Sequence, residues 1–156
     1  MTSDVIKYRD WLLEADRLQT AGFYESIQSA GSEDCICGNC KYFNTISNHI
    51  YPDEVKLLFK ELGVDINKNF EVNDFGDETT GHLYYGSFHF IGKIIEGKDC
   101  SIPLQSGGYT VDLLPISESF SIGFTSAVSK SFFNKDQNLI QIEFAVNASN
   151  SHGKNQ

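Results

Sequence analysis

In the first twenty residues, apolar side chains recur every three or four positions, at Val5, Tyr8, Trp11, Leu12, Ala15 and Leu18. With Ser3 or Asp4 as cap and Gly22 as stop, that spacing predicts an amphipathic helix from Asp4 to about Thr20. Residues 25–34 carry serines, a glycine and acids with no period, which predicts a loop. Asn39 then caps a short helix running to about Asn48, with Cys40, Phe43 and Ile46 or Ser47 on one face. A stronger signal follows. Pro52 in the first turn, Asp53 and Glu54 at the positive helix end, a stripe of Val55, Leu58, Phe59 and Leu62, and Gly63 beyond it specify a helix over 52–62.

Past Gly63 the period falls to two. Phe70 to Val72 and His82 to Ile95 read as strands of a hairpin around the turn-forming stretch from Asp74 to Gly81. Further strands are predicted at Tyr109 to Leu114, Ser119 to Thr125 and Leu139 to Val146. In the last two, Phe120, Ile122 and Phe124, then Ile140, Ile142, Phe144 and Val146, alternate with other side chains as half-buried antiparallel strands require. Helices in the first half and strands in the second predict an α+β domain, its N-terminal helices packed on one face of a mainly antiparallel C-terminal sheet. The 156 residues, 40% of them hydrophobic, suffice for one core, so residues 1–146 read as a single domain. Residues 147–156 offer only Ala148 for burial and predict a disordered tail.

Charge narrows the partners. The formal net charge is -9, and the twelve Lys and Arg residues are scattered among acids, so nucleic acid and anionic membrane surfaces are disfavoured and a basic protein partner is favoured. The opening stretch Met1 to Asp4 has no basic segment leading into an apolar one, which argues against secretion. No apolar run approaches the roughly 20 residues that span a bilayer. A cytoplasmic protein is expected, with its four cysteines reduced or bound to metal rather than paired.

Three of those cysteines, Cys35, Cys37 and Cys40, fall within six residues. As metal ligands they would be three thiolates for one zinc, with His49 or Cys100 as the fourth; as a redox pair, Cys37 and Cys40 would lie near a helix N-terminus. Neither pattern is complete, since no second pair of ligands is visible and no strand leads into the motif. The favoured expectation is a reduced, metal-free cluster. His82 and His89 are seven apart in a strand region and should face opposite ways. Asp74, Asp77 and Glu78 do not follow the order of a calcium loop and read as turn charges. The aromatic run from Tyr84 to Phe90 reads as core, with a ligand groove as its rival.

The ordered set CICGNCKYF, the helix running into LGVDI, the FEV strand, HLYYGSFHFIG and the FSIGF and IQIEF strands resembles a group of small uncharacterised bacterial proteins over roughly residues 35–146. The resemblance implies a bacterial cytosolic α+β domain and carries no catalytic role or metal ligand. The functional expectation is a non-enzymatic interaction or regulatory protein of immunity type. Its rival is a zinc-binding or thiol-redox protein built on Cys35, Cys37 and Cys40.

Overall fold

A computed structural model describes residues 3–34, 38–76, 81–128, 131, 133 and 137–148. Strands, not a helix, open the chain. β1 (Asp4–Tyr8) and β2 (Trp11–Ala15) form an antiparallel hairpin in which Tyr8 faces Trp11. The apolar residues here fit two periods, and period two wins: Ile6, Tyr8, Trp11, Leu13 and Ala15 are all buried. Val5 and Leu18, which a helical stripe would bury, are 61% and 65% exposed. Arg9 in the two-residue loop takes φ 53°, a left-handed conformation uncommon outside glycine. Its guanidinium reaches both oxygens of Glu54, at 2.7 and 2.9 Å, which ties the hairpin loop to the first turn of the helix that begins at Asp53.

The remaining elements are α1 (Arg17–Ser26), α2 (Gly31–Asp34), α3 (Gly38–Ile46), α4 (Asp53–Leu62), β3 (Glu71–Asp74), β4 (Leu83–Glu96), β5 (Ser101–Pro103), β6 (Tyr109–Val111), β7 (Leu114–Pro115), β8 (Phe120–Thr125) and β9 (Leu139–Asn147). Seven strands make one sheet in the order β1-β2-β4-β9-β8-β7, with β3 also on β4, and β5 and β6 pair separately. Every pairing is antiparallel. The fold is therefore α+β with a mostly antiparallel sheet, and no helix among the described residues is long and apolar enough to cross a membrane. Asn147, expected to begin the tail, closes β9, and Ala148 is buried with its N–H bonded to His82 O; residues 149–156 lie outside the described residues.

β4 organises the sheet because its fourteen residues exceed the length of any partner. One edge pairs with β9, while the other pairs with β3 near its start and β2 near its end. The gap between β3 and β2 is filled by α1. There the Tyr24 hydroxyl accepts from His89 N–H at 3.0 Å and donates to His89 O at 2.9 Å, and Thr20 Oγ1 accepts from Ile91 N–H. Two hydroxyls thus take the place of a strand, and α1 lies against the edge of β4.

The helix predicted over 52–62 is α4. It is closed by Gly63 at φ 83°, whose N–H caps the last turn, and Val55, Leu58, Phe59 and Leu62 are all buried. Phe59 meets Phe88 of β4 edge-on at 4.8 Å. On this inner face Tyr84, Phe88 and Phe90 of β4 stand beside Ile140, Ile142, Phe144 and Val146 of β9, so core packing, not a ligand groove, claims the even positions of the aromatic run.

Tyr51 sits among Phe59, Phe88, Phe120 and Phe144 with its hydroxyl buried and without a hydrogen-bond partner among the described residues. An unpaired buried hydroxyl costs free energy while its ring packs like phenylalanine. Tyr51→Phe is therefore expected to leave the unfolding free energy unchanged or raise it by up to about 1–3 kcal/mol. Chemical denaturation checks this, and a loss beyond about 1 kcal/mol would reveal a partner for the hydroxyl.

Candidate functional site

Side chains at the odd positions of β4 and β9 point away from the aromatic core. In register across four strands, Glu71 of β3, Ser87 of β4, Glu143 of β9 and Gly123 of β8 form one row. Asn73, Tyr85, Ala145 and Ser121 form the next, and His89, Gln141 and Thr125 the row on the other side. The β5–β6 hairpin folds over this outer face, held by Cys100 N–H to Phe124 O and by the Ser101 and Thr125 hydroxyls 2.8 Å apart.

Between that hairpin and the strands lies a cleft of about 260 Å³, lined by Glu71, Asn73, Phe75, Tyr85, Ser87, Tyr109, Thr110 and Glu143 together with Gly86 and Val111. Ser87 is only 3% exposed. Phe75 and Tyr109 stand at the rim, 66% and 64% exposed, and Phe75 meets Tyr85 edge-on at 5.5 Å. A larger hollow of about 700 Å³ runs past Lys93, Asp99, Ser126 and Asn138. Its carboxylate is already satisfied, since Asp99 accepts from Ser101 N–H and from both Ser126 N–H and Ser126 Oγ. The smaller cleft carries the unspent chemistry.

Glu143 is the centre of that chemistry. Gln141 Nε2 donates to Glu143 Oε1 at 2.5 Å, while Gln141 Oε1 faces His89 Nε2 at 3.0 Å, so an amide links the imidazole to the carboxylate. The His89 ring is itself wedged edge-on against Phe70 at 5.1 Å. Burial raises the Glu143 pKa, the Gln141 bond opposes this, and the neighbouring Glu71 raises it further, so the net shift is upward. Because the folded pKa lies above the unfolded one, the wild type loses stability as pH rises from about 4 through the folded pKa, and the loss is complete above it. Glu143→Gln removes that penalty. Its thermal midpoint is expected to match the wild type near pH 4 and exceed it at pH 7; the opposite trend would mean that the carboxylate is stabilised in place.

A second pairing sits on the inner side. Asp74 Oδ2 meets His82 Nδ1 at 2.7 Å, and Asp74 Oδ1 accepts from Gly76 and Leu83 N–H. Burial raises the Asp74 pKa, but the His82 and backbone hydrogen bonds outweigh it and hold the carboxyl below its usual range. The His82 ring stacks on Tyr42 of α3 at 4.4 Å. His82 and His89 therefore serve opposite sides of the sheet, as their spacing requires.

Cys35 and Cys37 lie outside the described residues, and Cys40 falls in the first turn of α3, where only the backbone is described. His49 is exposed in the turn that follows α3. Cys100 is fully buried and packs over Gly123 on the outer face, whereas Phe43 of α3 packs on Tyr84 and Phe144 of the inner face. The sheet lies between Cys100 and α3. Burial, with Glu143 and Asp99 adding to it, pushes the Cys100 thiol up to about 12, which keeps it protonated and unreactive at neutral pH. Among the described residues no three His, Cys, Asp or Glu side chains converge on a metal position. Asp77 and Glu78 are outside the described residues, and Asp74 of that turn is engaged with His82.

Tyr85, Gly86 and Ser87 belong to the run for which a ligand groove was the rival reading, but Glu71 and Glu143 were not singled out from the sequence, although a carboxylate between Ile142 and Phe144 in a strand was the available signal. The chain matches no known protein family, no curated protein and no solved structure.

Proposed function

We propose that the protein is a non-enzymatic binding protein, of regulatory or immunity type, that engages a basic protein partner through the outer face of its sheet. One observation carries this reading: the cleft gathers Glu71 and Glu143 with no Lys, Arg or His side chain among the described residues of its lining. Two carboxylates facing each other without a counter-charge repel, and a cation brought by a partner relieves both the repulsion and the desolvation of Glu143. The net charge of -9 steers the same class of partner toward the surface. Calorimetric titration with short arginine- and lysine-rich peptides tests it. Basic peptides should bind, weakening as salt is raised, while glutamate-rich peptides of equal length should not. Equal behaviour of basic and acidic peptides would overturn the reading.

A zinc-binding or thiol-redox protein using Cys35, Cys37 and Cys40 is the second reading, favoured by one contact. The imidazole of His82, stacked on the helix that contains Cys40, has its Nδ1 held by a buried carboxylate, the outer support that metal-binding histidines carry. Metal analysis of untagged protein decides it: stoichiometric zinc would replace the metal-free cluster favoured from the sequence.

A further inference from the structure

We propose that the outer cleft receives the guanidinium of one arginine side chain of the basic partner, an inference that rests on the binding function proposed above. Size comes first. At about 260 Å³ the cleft falls below the roughly 300–1,000 Å³ that enclose a drug-sized ligand, so it suits a single protruding side chain. Its floor supplies acceptors in more than one direction. Glu71 and Glu143 flank Ser87 in register, two strand spacings or about 10 Å apart at the backbone, and all three line the cleft.

Ser87 is the independent sign of a ligand. It is nine-tenths buried and lines the cleft, yet its hydroxyl makes no hydrogen bond among the described residues. The hydroxyl itself is open to the cleft, so an incoming N–H would find a free acceptor there. The rim completes the fit. Phe75 and Tyr109 expose most of their rings at the mouth, where a planar cation is held over an aromatic face. Guanidinium matches these features together, because it has five N–H donors in one plane and stacks on rings. An ammonium is a compact point charge that would use the carboxylates but not the plane of the rings.

The test is amide and side-chain NMR on the full chain titrated with three peptides that differ at one position: arginine, lysine or the neutral isostere citrulline. The arginine peptide should shift Ser87, Glu143 and Tyr109 and bind at least about tenfold tighter than the citrulline peptide, the loss typical of a hydrogen-bonded charge. Lysine should fall between them. Ser87→Ala, a small change on a folded strand, should weaken arginine several-fold while the spectrum remains that of the wild type, and Glu143→Gln should remove most of the preference over citrulline. Shifts confined to other acidic surfaces, such as the start of α4, would overturn the arginine site and leave the basic-partner reading standing. Equal binding of lysine and arginine would also overturn it. Binding by none of the basic peptides would overturn both.

Discussion

Phe144→Ala is expected to destabilise the domain by about 3–5 kcal/mol, the range for truncating a fully buried phenylalanine. Phe144 is 0% exposed and its ring lies 5.5 Å from that of Tyr51, 5.8 Å from those of Phe88 and Phe120, and 6.4 Å from that of Phe43. It therefore joins the side chains of α3 and the loop before α4 to three neighbouring strands. Its neighbour across the sheet is Gly86, where an added Cβ would come within 2.4 Å of the Phe144 ring. The ring fills the place that a side chain at position 86 would take, so its removal opens a cavity that Gly86 has no side chain to fill. A domain of this size has about 5–15 kcal/mol in total, so urea unfolding should show a large shift of midpoint with an unchanged slope. A loss below about 1 kcal/mol would place the centre of the core elsewhere.

Tyr24→Phe is expected to have the second-largest effect, although it deletes a single oxygen. The hydroxyl serves both the N–H and the C=O of His89, at a point where β4 has neither β3 nor β2 beside it. Tyr24 is 2% exposed, so water cannot readily replace it. Each buried backbone group left unpaired costs about 1–3 kcal/mol, and here there are two. The contrast with Tyr51→Phe is informative, because the same deletion at an unpaired hydroxyl is expected to cost nothing. Amide hydrogen exchange at His89 should quicken in the Tyr24 variant. Unchanged exchange together with unchanged stability would show that α1 does not complete the edge of β4.

What the sequence revealed depended on whether one local period explained each segment. The stripe over 52–62 had a starting proline, a stop and one face, and α4 follows it closely. The strands β8 and β9 likewise alternated in sequence, because one face carries the aromatic core; in β9 the burial alternates as well, whereas Gly123 and Thr125 of β8 are also buried. At the N-terminus the same residues satisfied both periods. The choice was made by tertiary packing invisible in a local window: Trp11 meets Phe124 edge-on, more than a hundred residues away, and Glu54 holds the Arg9 loop. The cleft was hidden for a related reason. Glu71, Ser87 and Glu143 are unremarkable singly, and only strand register brings them into one row. The cysteine cluster drew notice because it is dense in sequence, whereas the carboxylates are close only in space.

The most direct test of a cation-binding outer face is the affinity of one arginine-rich peptide for the wild type and for the Glu71→Gln, Glu143→Gln double variant, measured by calorimetry at low and at moderate salt. Neutralising both carboxylates should weaken binding by at least about a hundredfold at low salt, about tenfold for each charge-assisted hydrogen bond removed. It should also flatten the salt dependence, because the attraction that ions screen is gone. Wild-type affinity should rise with pH as Glu143 gives up its proton, and the double variant should lose that rise. A double variant that binds the peptide as tightly as the wild type, with the same salt and pH dependence, would contradict the assignment of the cleft as the binding site.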